Sequence, residues 1–277
     1  MTKEFERVII MKNIGVIMIK RIDHILIHTP TVQKTIKEFE KVFGIEAVGP
    51  LKHYTYFSSG MFDFGNVAIE IVQMGEKKDF EPYLYGVAFE PEVSSWETID
   101  KLDKKSIPHT LPLLLKPDNN LSWTTISMSG LLDNPAPTPY GNKGAFGNNI
   151  LTHMMAKFFS KLMEVKFTAQ SMVKDIGKSS VFFCEYHDKP KIESRSLEEE
   201  ENPYGITGVA SIMIEKKEDN NTWEILGKPT DKTSVSLEFT ASIENLLKHI
   251  ILNTKGDYHD KEIMIGDVKF RLKKDEN

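Results

Sequence analysis

A single cysteine in 277 residues, Cys184, excludes an internal disulfide framework and any zinc centre built on two or more cysteines of one chain. Long apolar runs are missing too. The nearest, VIIMKNIGVIMI over residues 8–19, is broken by Lys12 and Asn13, is too short to cross a bilayer, and is followed by no small-residue cleavage site. Charge of one sign is also lacking: 35 Lys and Arg face 40 Asp and Glu, a net of −5 spread along the chain. That leaves no basic stripe for nucleic acid or an anionic membrane surface, so the expected partners are small molecules or proteins. One thiol and twelve methionines suit a reducing, cytoplasmic interior. A phosphate loop is absent as well, since GNKGAFG (141–147) has neither the strand-to-helix setting nor the Lys-Ser or Lys-Thr ending.

What is present is a rhythm of strands and helices in a chain long enough to bury a sizeable core. The strand IDHILIHT (22–29) leads into PTVQKTIKEFEKVFG (30–44), where Val32, Ile36, Phe39 and Phe43 recur at helical spacing. Thr31 is placed to cap this helix and Gly44 to end it in a left-handed turn. YTYFSSGMFDFG (54–65) and the alternating NVAIEIVQM (66–74) follow, giving a βαβββ unit. The order begins again at YLYGVAFEPE (83–92), continues through SSWETIDKLDKKS (94–106) and LSWTTISM (121–128), and closes at SVFFCEY (180–186). An insert over about residues 130–178 interrupts it and carries a helix candidate from Asn149, with Leu151, Met155, Phe158 and Leu162 on one stripe. That stripe needs a surface to pack on, either the site or a second subunit. After the charged KIESRSLEEEEN (191–202), a third strand-helix-strand series fills 203–277. Residues 1–20 read as an N-terminal extension or an added edge strand, and 21–190 as a two-module domain.

IDHILIHTP, the helix ending VFG, FGNVAIEIVQ and YGVAF resemble the glyoxalase/vicinal-oxygen-chelate superfamily, most nearly bacterial glyoxalase-like proteins. The resemblance covers about residues 20–190 and echoes weakly beyond. It implies an α+β fold of paired βαβββ modules whose sheets form a cleft, with the inserted helical segment and a third related C-terminal module added. It further implies a divalent metal (Mn, Fe, Co, Zn or Mg) held by inward side chains of the first and last strand of each module. By position these are His24, Glu70 and Glu185, while the fourth, a histidine after YG in many metal-binding members, is Val87 here. Valine cannot ligate. The function implied is that of a metal-dependent lyase, isomerase or dioxygenase acting on a small oxygen-rich molecule, with Glu70 moving the proton; His28, four residues from His24 on the same side of the strand, is by that spacing a candidate substrate contact or shuttle. Val87 and the apolar insert favour an alternative, a metal-free protein that binds or sequesters a small molecule. An interaction protein is a third reading. A homodimer is expected, because a curved module leaves unpaired edges.

The plain readings stand beside these. His24 can be a satisfied core histidine, Glu70 the solvated side of an antiparallel strand, and Glu185 an exposed residue near a strand end. Cys184 reads as a buried, inert thiol facing opposite to Glu185.

Overall fold

The structure is a computed structural model that describes residues 18–54, 57–75, 79–118, 121–133, 179–187, 202–231, 235–258 and 260–275. The N-terminal extension up to residue 17 and the helix expected from Asn149 lie outside the described residues.

Helix α1 (Val32–Phe43) follows strand β1 (Ile19–His28) as its periodicity predicts. Gly44 ends it at φ 67°, its N–H donating to Glu40 O, whereas the Thr31 side chain makes no capping bond. Strands β2 (Lys52–His53), β3 (Phe57–Asp63) and β4 (Ala68–Met74) complete the first βαβββ unit. The second comprises β5 (Tyr83–Pro91), α2 (Ser95–Lys104), β6 (Leu113–Asp118), β7 (Leu121–Met128) and β8 (Ser180–Tyr186). Together they form one curled eight-stranded sheet in the order β2-β3-β4-β1-β5-β8-β7-β6. Within it β1 runs parallel to β4, β5 parallel to β8, and the units join through the antiparallel pair β1 and β5.

The C-terminal segment carries β9 (Ile206–Lys216), α3 (Thr222–Leu226), β10 (Ser236–Ala241), β11 (Leu246–Thr254), β12 (Glu262–Ile265) and β13 (Val268–Lys274). Its five-stranded sheet, β10-β9-β11-β13-β12, repeats the parallel and antiparallel pattern of β4-β1-β5-β8-β7. It is thus built like the centre of the first sheet with the outermost strands missing.

One apolar core serves both sheets. Phe39 and Phe43 of α1 pack on Phe62 and Phe64 of the first unit and also on Phe270 of β13, at ring separations of 5.0 to 5.7 Å. Polar clamps reinforce the join: Asn66 Nδ2 donates to Val209 O at 2.8 Å and Val209 N–H donates to Asn66 Oδ1 at 2.9 Å. Helix packing therefore uses one face of the eight-stranded sheet and leaves the other, here called the inner face, to carry a site.

Candidate functional site

Two of the three irregularities in the pairing of β1 with β5 decide which side chains reach the inner face around His24. On β1, Ile22 pairs with Phe89 and His24 with Ala88, so Asp23 is an extra residue. A bulge of this kind shifts the alternation by one. Ile22, Ile25 and Ile27 accordingly all enter the shared core, while Asp23 and His24 both turn towards the inner face. On β5, Ile27 pairs with Leu84 and Leu26 with Gly86, which makes Tyr85 the extra residue. Tyr83, Tyr85 and Ala88 then join the inner face, whereas Val87, fully buried, points into the core. The position opposite His24 is therefore Ala88, not Val87 as the resemblance suggested. Gly86 is needed here, because a methyl group on it would come to 2.4 Å from Ser180 O.

The inner face is apolar and aromatic, with Leu26, Val72, Tyr85, Ala88 and Cys184 buried and Trp123, Phe182 and Tyr186 packed on them. Across it runs a single charged row. Asp23 Oδ2 accepts from His24 Nδ1–H at 2.7 Å and from the Tyr186 hydroxyl at 3.1 Å. On the other side of the ring, His24 Nε2 lies 3.4 Å from Glu70 Oε2. Behind Asp23 the row continues to Arg21 and Glu90: Arg21 Nε donates to Glu90 Oε2 at 2.6 Å and Lys20 Nζ to Glu90 Oε1 at 2.8 Å. Charges of alternating sign thus line up from Lys20 to Glu70.

This row sets the protonation of His24. Burial would lower the imidazole pKa, but the hydrogen bond to Asp23 and the charges of Asp23 and Glu70 outweigh it, so the pKa is raised. Burial first, with Asp23 second, pushes the Tyr186 hydroxyl up, and burial likewise holds the Cys184 thiol well above its ordinary value. The thiol stays protonated at neutral pH and inert.

His24 and Glu70 are thus brought together from adjacent strands. The other sequence-predicted residues are not. Glu185 lies on the opposite face from Cys184, where its Oε2 accepts the Ser95 backbone N–H at 2.8 Å and also the Ser95 hydroxyl. It caps the start of α2 beside Ser94, whose side chain accepts from Glu97 N–H. His28 shares the inner face but lies four residues along β1 from His24, about 13 Å at the rise of a strand. Its Nε2 accepts Met74 N–H at 3.4 Å, which leaves Nδ1 to donate to Tyr83 Oη at 2.9 Å. Phe80, Tyr83 and Tyr85 surround its ring. A ring held at both nitrogens is a structural post rather than a proton shuttle. Sequence reasoning missed the rest of the row, Lys20, Arg21, Asp23 and Glu90, and Tyr186 that binds it. The signal for Asp23 is the three-residue spacing between Ile22 and Ile25, which a regular strand does not give.

The donor set can be tested against the metal that the resemblance implies. His24 has the orientation metal-bound imidazoles adopt, with one nitrogen tied to a carboxylate and the other presented beside Glu70. Two donors do not complete a catalytic centre, which takes three protein ligands and an open position. Ala88 supplies none, Glu185 faces away, and among the described residues no group of three His, Cys, Asp or Glu is placed to hold a metal ion. The described residues do not fit a complete metal centre.

Comparison with known proteins adds the fold. No family model and no curated protein matches the sequence. Among solved structures, a hypothetical protein from Staphylococcus aureus covers 91% of this chain and 98% of its own at 10% identity, TM-score 0.53. A variant of homoprotocatechuate 2,3-dioxygenase from B. fuscum covers 92% of this chain and 71% of its own at 9% identity, TM-score 0.51. A 2,3-dioxygenase from a Pseudomonas species covers 93% of each chain at 9% identity, TM-score 0.50. These likenesses are of fold.

Proposed function

The chain has the vicinal-oxygen-chelate fold of the glyoxalase superfamily, and we propose that its inner face binds a small molecule with an aromatic or apolar body and an oxygen-bearing end. The observation that carries this reading is the single charged row set in an otherwise apolar floor: His24 and Glu70 are the polar groups that would fix the ligand's oxygen, and Leu26, Val72, Tyr85 and Phe182 would take its body. Protonated on both nitrogens, the form that its raised pKa favours, His24 keeps Nδ1–H on Asp23 and donates from Nε2 to a ligand oxygen, and Glu70 beside it can receive or return a proton. Asp23 and Tyr186 hold the ring in place. This is an acid–base couple of the kind that serves proton transfer at carbon next to a carbonyl. Association as a homodimer belongs to the same proposal, its support being that both sheets end on edge strands, β2 and β6 in one and β10 and β12 in the other.

A second reading has one observation in its favour, the Asp23 hydrogen bond on Nδ1: a metal-dependent lyase, isomerase or dioxygenase in which His24 and Glu70 hold a divalent ion. Metal analysis of protein purified without chelators separates the two. Bound metal in the wild type that disappears in both His24→Ala and Glu70→Ala supports the second reading. The first predicts that small aromatic carbonyl compounds quench Trp123 without added metal, in a wild type from which Trp123→Phe removes the response. Binding left unchanged by His24→Gln and Glu70→Gln would refute it.

A further inference from the structure

Among the described residues, the buried side-chain polar atoms that lack a hydrogen bond are Ser211 Oγ and the two ring nitrogens of His249. They are neighbours. His249 on β11 pairs with Met213 on β9, and Ile251 pairs with Ser211, in a regular stretch where Ile250 and Ile212 between them enter the shared core. His249 and Ser211 therefore lie diagonally on the same outward face of the five-stranded sheet, within reach of one small molecule. Both are buried, at 4% and 0% exposure. Buried polar groups are ordinarily paired, and three orphans at one spot mark a place where a partner belongs.

The surroundings state the charge of that partner. On the adjoining strand, Arg271 pairs with Ile251 and shares the outward face with Lys269. These two cations share one carboxylate, Glu262, at 3.4 Å and 3.0 Å, which leaves one positive charge uncompensated. Lys248 also acts on the ring, although Glu215 binds it. Burial, with these cations, holds the His249 pKa below its ordinary value, so the ring is neutral and offers one donor and one acceptor. Ser211 adds a hydroxyl. A bare anionic oxygen satisfies the donors alone, whereas a ligand that also carries a hydroxyl satisfies the ring acceptor too.

We propose that the outward face of β9 and β11 is a second ligand site, separate from the His24–Glu70 row, for a small anion that bears a hydroxyl, with His249 and Ser211 as its hydrogen-bonding partners and Arg271 and Lys269 as its counter-charge. A hydroxycarboxylate and a protonated phosphate share this chemistry.

The test follows the ring signal of His249 in protein carrying labelled histidine, the signal being assigned by its loss in His249→Gln. Glycolate, inorganic phosphate and acetate serve as probes. Glycolate or phosphate is expected to shift the signal saturably, and the tighter of the two identifies the source of the anion. Ser211→Ala should weaken that binding roughly threefold to tenfold and Arg271→Gln by a similar factor, as expected for one charge-assisted contact. Arg271 is half exposed, so its replacement keeps the fold and the comparison stands even if Ser211→Ala unfolds the sheet. Absence of a saturable shift with any probe overturns the site. Binding indifferent to Arg271→Gln overturns the counter-charge, and acetate matching glycolate overturns the hydroxyl requirement.

Discussion

Replacing Glu185 separates a cap from a ligand. In the structure its carboxylate satisfies the first helical N–H of α2, at Ser95, together with the buried Ser95 hydroxyl. Removing an acceptor at a helix start costs about 1 kcal/mol, and losing a negative charge from the positive end of the helix adds up to about 1 kcal/mol, so Glu185→Ala should destabilise by about 2 kcal/mol. A domain of this size loses roughly 2 to 4 °C per kcal/mol, which makes the expected fall in melting temperature about 4 to 8 °C. Ser95→Ala, which removes only the hydroxyl contact and leaves the backbone bond to Glu185, should cost about 1 kcal/mol or less. Calorimetry gives the stability, and the ring signal of His24 reports the inner face in the same samples. The capping account requires a lower melting temperature with the His24 signal in place. A variant of unchanged stability that alters the His24 signal or loses a bound metal would refute it and return Glu185 to the inner face.

Asp23→Asn and Glu70→Gln should each lower the His24 pKa, read by ring titration, because each removes one of the charges that raise it. The sign for stability follows: His24 contributes in full below its unfolded value of about 6.5 and loses that contribution as pH rises through the higher folded value, so both variants should flatten the stability profile in that window. Ala88→His places a third donor opposite His24 and should confer tight zinc binding by calorimetric titration, whereas unchanged affinity would show that His24 and Glu70 do not point to a common position. Asn66→Ala removes both hydrogen bonds to Val209 and should destabilise by about 2 kcal/mol in denaturant titration.

The regular elements of the fold were legible because their patterns are regular. Val32, Ile36, Phe39 and Phe43 mark one helical stripe and all are buried, and strict alternation in β4 sends Ile69 and Ile71 into the core and Glu70 to the inner face. Legibility fails where parity changes. Two extra residues in β1, Lys20 and Asp23, and one in β5, Tyr85, invert the alternation, so that counting by twos back from His24 or on from Tyr85 lands on the wrong face. The C-terminal module was legible as a third strand-helix-strand series over 203–277, but its strand order was not, because its central pair, β9 with β11, joins residues that chain order alone does not associate.

Glu185 was misplaced for a third reason, which three partly buried glutamates make plain. Glu70, Glu90 and Glu185 all lie on or beside the central strands, and each had to find positive charge or donors before it could leave water. Glu90 found Lys20 and Arg21, Glu70 the ring of His24, and Glu185 the start of α2. A motif records that a carboxylate occurs near the end of a strand, but its role is fixed by which donor lies on its side of the sheet. That donor is set by helix placement and strand parity, and neither is written in the motif. The inner face consequently keeps one carboxylate opposite His24, and the ligand chemistry open to it follows from that pair and its aromatic floor.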